Sequence, residues 1–229
     1  MGIVIINITG YSAYPNTSIA QIVENGITYF LNFFSKVMKC GKIIPGRRIT
    51  APERRNLMKL VDLHVHSNAS DGSLSPTEVV LASNEAGLTA IALTDHDTVS
   101  GVAEALETAD PRDIEVIPGV ELSCIYKEKE IHILGLYIDH NSESLHHFLT
   151  STAKKRAERN LKMVEAFRAD GFDITMEDLL LGNPNTIITR AHFARALVNK
   201  GYVSTPDQAF KKYHQTTHLT DKFTIRVNI

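Results

Sequence analysis

Residues 58–67 read Met58-Lys59-Leu60-Val61-Asp62-Leu63-His64-Val65-His66-Ser67. The apolar run predicts a β-strand over Leu60–His66. A strand's period of two places His64 and His66 on one face at its C-terminal end, with Asp62 behind them. Two imidazoles so arranged can share one metal ion, although each taken alone also reads as an ordinary strand-end histidine. The next segment, Ser70-Asp71-Gly72, has the composition of a tight turn. Ser75-Pro76-Thr77-Glu78 then joins an N-cap serine, a proline at the first helical position and a glutamate at the third. This capping box starts a helix that stops at Gly87.

Working outward, strands are predicted over Ala90–Thr94, Glu115–Leu122 and Ile131–Ile138, with a helix over Val102–Ala109. Near-continuous apolar runs of this kind suit a parallel sheet covered on both faces, so the fold class is α/β. Each strand end offers a polar group. His96 follows the second strand in Thr94-Asp95-His96-Asp97, Glu121 ends the third after Pro118-Gly119-Val120, and His132 sits in the fourth between Ile131 and Ile133. A lone carboxylate among apolar residues is costly unless it is paired or metal-bound. Parallel α/β barrels gather their active sites at the C-terminal strand ends. Jointly, His64, His66, Asp71, His96, Glu121 and His132 therefore point to a multinuclear centre, where metals acidify a bridging water and neutralise charge on a phosphoryl group. Imidazole and carboxylate ligands suit Mn, Fe or Zn.

After Asp139 the period changes to helical, with Leu145, Phe148, Leu149, Ala153, Ala157, Leu161, Val164 and Phe167 forming one apolar stripe. Shorter helices are expected over Met176–Leu181, Ala191–Val198 and Ala209–Tyr213. Residues 140–213 thus read as an all-helical insertion, with residues 58–139 as the N-terminal half of a barrel. Arg190 and His192 open one insertion helix, and the shape of arginine suits bidentate phosphate binding, so both are candidate substrate contacts. Lys154-Lys155-Arg156 with Arg159 reads as a solvated helix face, as do His140, His146 and His147.

The 229 residues carry 24 Lys and Arg against 26 Asp and Glu, a formal charge of −2, which excludes a global nucleic-acid or anionic-membrane footprint. Two cysteines exclude a disulfide scaffold and favour a reducing, cytoplasmic setting. All ten histidines lie at or after His64. Residues 1–23 are uncharged yet too polar to span a bilayer, and no basic n-region marks a signal peptide. Residues 1–57 hold seven Lys/Arg and two Asp/Glu, in contrast to the acidic remainder. They read as a leader of doubtful relevance that packs loosely outside the site, with one helix over Ser18–Met38 and a native start at Met58. Residues 214–229 read as an aberrant tail with one short strand over Phe223–Val227.

The ordered set Leu63-His64-Val65-His66-Ser67 to Asp71-Gly72, Leu93-Thr94-Asp95-His96-Asp97-Thr98, Pro118-Gly119-Val120-Glu121 and His132-Ile133-Leu134-Gly135 closely resembles the first motifs of the PHP (polymerase and histidinol phosphatase) superfamily. It is most similar to the stand-alone bacterial branch that dephosphorylates 3′,5′-bisphosphorylated nucleosides and trims RNA ends. The resemblance covers Met58–Tyr213. It implies a distorted seven-stranded β/α barrel, of which this chain would hold the first half, and up to three divalent metal ions. It also implies that His64 and His66 bind the first metal, Glu121 bridges two, His132 serves the second, and Asp71 with His96 holds the third; His64, His66 and Glu121 would carry the catalysis. The implied substrate is a nucleotide or short oligonucleotide, without stable binding of duplex DNA or membrane. The family's closing His-Pro and Asp-x-His motifs do not occur after residue 213, so the chain reads as C-terminally truncated or frame-shifted. The competing readings are a non-catalytic remnant and an accessory domain of a replication protein.

Overall fold

The computed structural model describes residues 3–7, 60–126 and 129–214. The helix expected over Ser18–Met38, the start at Met58 and the strand over Phe223–Val227 lie outside them. Five strands, β1 (Ile3–Asn7), β2 (Leu60–Val65), β3 (Leu88–Leu93), β4 (Glu115–Tyr126) and β5 (Lys129–Leu136), form one sheet in the order β1-β5-β4-β3-β2. Helices α1 (Pro76–Glu85) and α2 (Val102–Ala109) make the crossovers that leave β2, β3 and β4 parallel. The capping box of α1 forms as its sequence dictates: the Glu78 amide donates to Ser75 Oγ at 3.2 Å and the Ser75 amide to Glu78 Oε2 at 2.8 Å.

Two expectations are corrected. β5 pairs antiparallel with β4, so the sheet is mixed. Only residues 127 and 128 separate the two strands; that length makes a hairpin, whereas a parallel partner needs a crossover of a dozen residues or more. The N-terminal segment also contributes to the fold, because Ile3–Asn7 pairs parallel with β5, from Ile3 opposite His132 to Asn7 opposite Leu136.

Alternation along β3 divides the core. Ile91 and Leu93 face α1 and α2 and pack with Val79, Val80, Ala105 and Ile114. Ala92 faces the opposite side with Ile117 and Leu136. Each fully buried Ile or Leu contributes about 2 kcal/mol. At the β4–β5 hairpin, buried Cys124 packs on Ile133.

Four helices follow: α3 (Glu143–Ala169), α4 (Met176–Leu180), α5 (Arg190–Asn199) and α6 (Pro206–His214). Their own core includes Met163, Phe167, Ile174, Leu179, Phe193 and Leu197, with Phe167 stacked on Phe193 at 5.6 Å between ring centroids. The buried face of α3 differs from the expected stripe. Leu149, Thr152, Arg156, Asn160, Met163, Val164 and Phe167 are buried, whereas Ala157 and Leu161 are exposed. None of the described helices is long and apolar enough to cross a membrane.

Candidate metal centre

The register of β2 shifts between Asp62 and Val65, an irregularity of the kind that re-aims side chains beside functional sites. His64 and His66 emerge from it and meet one carboxylate oxygen: the Nε2 of each lies 2.9 Å from Glu121 Oε2. Asp62 stays out of this cluster and accepts a hydrogen bond from the His64 amide. His132, from β5, places Nδ1 2.5 Å from Glu121 Oε1. His96 lies between the two groups, with Nε2 3.5 Å from Asp71 Oδ2 and Nδ1 3.6 Å from Glu121 Oε2. Asp71 closes the arc through Oδ1, 2.9 Å from His66 Nδ1. Successive rings along His64, His66, His96 and His132 have centroids 5.0, 4.7 and 4.9 Å apart.

The six residues thus form three overlapping triads, His64/His66/Glu121, His66/Asp71/His96 and His96/Glu121/His132, each with donor atoms within 4.8 Å of one another. Glu121 belongs to two triads and enters the site on β4, whose path is set by neighbours. His96 and Glu121 are bridged in parallel, with the Glu121 amide donating to Asp95 O at 3.1 Å and the Asp97 amide to Glu121 O at 2.9 Å. Gly119 allows this approach, since a Cβ there would lie 2.7 Å from Thr94 Cγ2 and 2.9 Å from Leu93 O. At Gly72 a Cβ would come within 2.4 Å of His66 O, so glycine is required there by the close approach of the loop to the backbone just after β2.

The neighbours of His96 hold the frame. Asp95 is 2% exposed and accepts from the Ser67 amide, Ser67 Oγ and Ser70 Oγ at 2.8, 2.6 and 2.6 Å, fixing the loop that carries Asp71. Asp97 has φ of +50°, in the left-handed region that aspartate tolerates better than most residues. Its Oδ1 accepts from the Ser123 amide and its Oδ2 from Arg156 Nε at 2.7 Å, while Arg156 Nη2 donates to Ser123 Oγ at 2.6 Å. Arg156, expected on a solvated face with Lys154, Lys155 and Arg159, is therefore a buried ion-pair partner reaching from α3 to the strand ends. Lys154 and Lys155 remain exposed.

The electrostatics follow from crowding several imidazoles on two carboxylates. Burial opposes charge on His66, but Asp71 and Glu121 outweigh it and raise its pKa to about 10. Burial of Asp71 is outweighed by His66 and His96, and burial of Glu121 by His132, His66 and His96, so both carboxyls lie well below the usual range. For His96 burial dominates and lowers the pKa to about 4. Its Nδ1 is buried without a hydrogen-bond partner among the described residues. A buried nitrogen without a partner, facing a carboxylate just beyond hydrogen-bonding distance, is what a ligand awaiting a cation looks like. The donor set of imidazoles and carboxylates suits a divalent ion of the Mn, Fe or Zn type.

Arg190 and His192 are not part of these triads. Arg190 opens α5, and His192 is 2% exposed, with its ring turned into the cap of the same helix. Thr189 accompanies it: its hydroxyl lies 3.1 Å from Asp71 Oδ2. Sequence reading passed over Thr189, although a threonine three residues before His192 is a visible N-cap signal.

Histidines and carboxylates that converge from β2, β4, β5 and the loops after β2 and β3 suit a divalent-metal centre on a β/α-barrel type of sheet, with Glu121 inside β4 and His132 inside the antiparallel β5 rather than at their C-terminal ends. The PHP domain family matches residues 62–223, running past Tyr213, and the chain belongs to that family. A 5′-3′ exoribonuclease of Haemophilus influenzae is 40% identical over 157 residues, covering 69% of this chain and 57% of the relative. A 3′,5′-nucleoside bisphosphate phosphatase of Chromobacterium violaceum is 40% identical over 160 residues, covering 68% and 55%. A solved structure assigned as a metal-dependent phosphoesterase, from Bifidobacterium adolescentis, superposes with a TM-score of 0.65 at 30% identity, covering 73% of this chain and 58% of that one. The chain spans somewhat more than half the length of these relatives, and its mixed sheet with helices is a partial PHP barrel.

Proposed function

We propose that the chain carries the metal-binding strand ends of a phosphoesterase acting on phosphate esters of nucleotides or short oligonucleotides. The observation that carries this reading is the position of Glu121, whose two carboxylate oxygens are met by His64 and His66 on one side and His132 on the other. His64 and His66 would hold one divalent ion together with Glu121, His132 would hold a second on the other oxygen of Glu121, and Asp71 with His96 a third. Bound metals would acidify water and offset charge on a phosphoryl group. The chain's own groups do the rest: Asp95 holds the Asp71 loop, Asp97 and Arg156 hold β4 in place, and burial keeps the His96 ring in the neutral form that can ligate a cation. The names of the two curated relatives support a nucleotide or RNA substrate. A cytoplasmic location is proposed with it, in keeping with the free thiol of Cys124.

The test is phosphate release from a nucleoside 3′,5′-bisphosphate and from a short 5′-phosphorylated RNA, after loading the chain with Mn, Fe or Zn. Turnover that needs metal and disappears in His64→Ala supports the reading. Full metal loading with no release from either substrate would identify a non-catalytic member of the family.

A further inference from the structure

The loop carrying Asp71 is held from its other side by the helical segment. Asn183 Nδ2 donates to Asn68 O at 2.7 Å, the Ile187 amide to Ala69 O at 2.9 Å, Thr186 Oγ1 to Ser70 O at 2.7 Å, and Arg195 Nη2 to Asp71 O at 2.6 Å. These four bonds hold backbone carbonyls. A fifth differs in kind, because Thr189 Oγ1 meets the Asp71 carboxylate itself, at Oδ2, 3.1 Å away.

The single proton of that hydroxyl has one destination. Thr189 Oγ1 accepts from the Ala191 amide at 3.2 Å as the N-cap of α5, which uses a lone pair and leaves the proton. His192 Nδ1 is also near, at 3.3 Å, but it already accepts from the Thr189 amide at 3.1 Å and offers only one lone pair. Burial pushes His192 down to about 4, so the ring is neutral and its proton sits on Nε2, beside Thr186 Oγ1. The Thr189 hydroxyl therefore donates to Asp71. Asp71 Oδ2 is the oxygen facing His96 Nε2, while Oδ1 faces His66 Nδ1. A donor fixed on Oδ2 sets the rotation of the carboxylate so that each oxygen meets its own imidazole.

We infer that Thr189 is a positioning residue for Asp71, so that the helical segment, through the cap of α5, completes the His66/Asp71/His96 triad. This rests on the metal-centre reading above. Partners of metal ligands are commonly worth 10- to 100-fold in metal affinity. In the full 229-residue chain, Mn²⁺ titration followed calorimetrically should show Thr189→Val weakening one class of site by about 10- to 100-fold, as Asp71→Asn does more completely. Thr189→Ser should restore the wild-type isotherm. Thr175→Val, which removes an equivalent cap from α4 away from Asp71, should leave it unchanged, separating the clamp from general loss of a cap. A wild-type isotherm in Thr189→Val, or a Ser variant as weak as the Val variant, would overturn the inference. If the wild-type chain takes up no Mn²⁺, the metal-centre reading fails on its own account. The clamp is then read by hydrogen exchange at the Gly72 amide, which bonds to Ser67 O: faster exchange in the Val but not the Ser variant supports it, and equal protection in all three overturns it.

Discussion

Glu121 is 2% exposed and has three imidazole nitrogens within 2.9 Å of its carboxylate. Glu121→Gln keeps the volume and removes the charge, leaving those rings facing a neutral amide. On the proposed reading of Glu121 as a ligand shared by two ions, metal affinity should fall by at least about 100-fold, more than for loss of an outer partner; calorimetric titration with Mn²⁺ that returns the wild-type stoichiometry and affinity would rule out a bridging role. Gly119 is a second single-residue test. The atoms a Cβ would meet include the Leu93 carbonyl, which cannot rotate away, so Gly119→Ala should cost about 1–3 kcal/mol of stability by overpacking, measured by urea unfolding. That His64, His66, Asp71, His96, Glu121 and His132 come together was legible because strand periodicity and position at or beside the strand ends are both local properties of the chain. Thr189 was not singled out, because its contact with Asp71 joins residues 118 apart in sequence.

At the scale of elements, α3 shows where sequence patterning stops being informative. Counting apolar residues placed the buried stripe through Ala157 and Leu161. The real stripe runs through Thr152, Arg156 and Asn160, each four residues apart. A helix normally turns its apolar side inward, but here the strand ends present Asp97 and Ser123, and a buried carboxylate requires a partner more strongly than a leucine requires burial. The helix is rotated accordingly. Removing one member of the Arg156–Asp97 pair strands the other, so Arg156→Ala or Asp97→Ala should each destabilise by about 3–5 kcal/mol. The double variant should lose clearly less than the sum, which a double-mutant cycle measures; additive losses would mean that the pair is not coupled. Hairpin geometry was equally hidden. The apolar runs of β4 and β5 look alike whether paired parallel or antiparallel, and only the short link of residues 127 and 128 distinguishes them.

For the whole molecule, pH reports how much the native state depends on neutral buried rings. His192 has an unfolded value near 6.5 and a folded value of about 4. Between those limits the unfolded chain takes up a proton that the folded chain refuses, so stability falls as the solution is acidified. The loss from this one group should be about 2 kcal/mol between pH 7 and pH 5. Urea midpoints in metal-free buffer should show it, with a smaller slope in His192→Gln; an unchanged slope would refute the assignment. His66 acts with the opposite sign. Raised to about 10, it supports the fold in acid and neutral solution, and that support is lost as pH rises through 10. The N-terminal strand was the least legible part of the architecture. Residues 1–57 read as a loosely packing leader, and the pairing of Ile3–Asn7 with β5 joins residues more than a hundred positions apart in sequence.

Cys124 turns the same hairpin into a clock. Its sulfur is buried on Ile133, and burial together with the nearby Asp97 charge pushes the thiol up to about 12. At pH 8 the native chain offers an alkylating reagent essentially no thiolate at this position, so labelling must wait for β4 and β5 to part. Followed by site-resolved mass spectrometry, which separates Cys124 from Cys40, the labelling rate reads the opening free energy of that hairpin directly. Repeating the measurement without residues 1–9 would show how strongly the added outer strand keeps it shut.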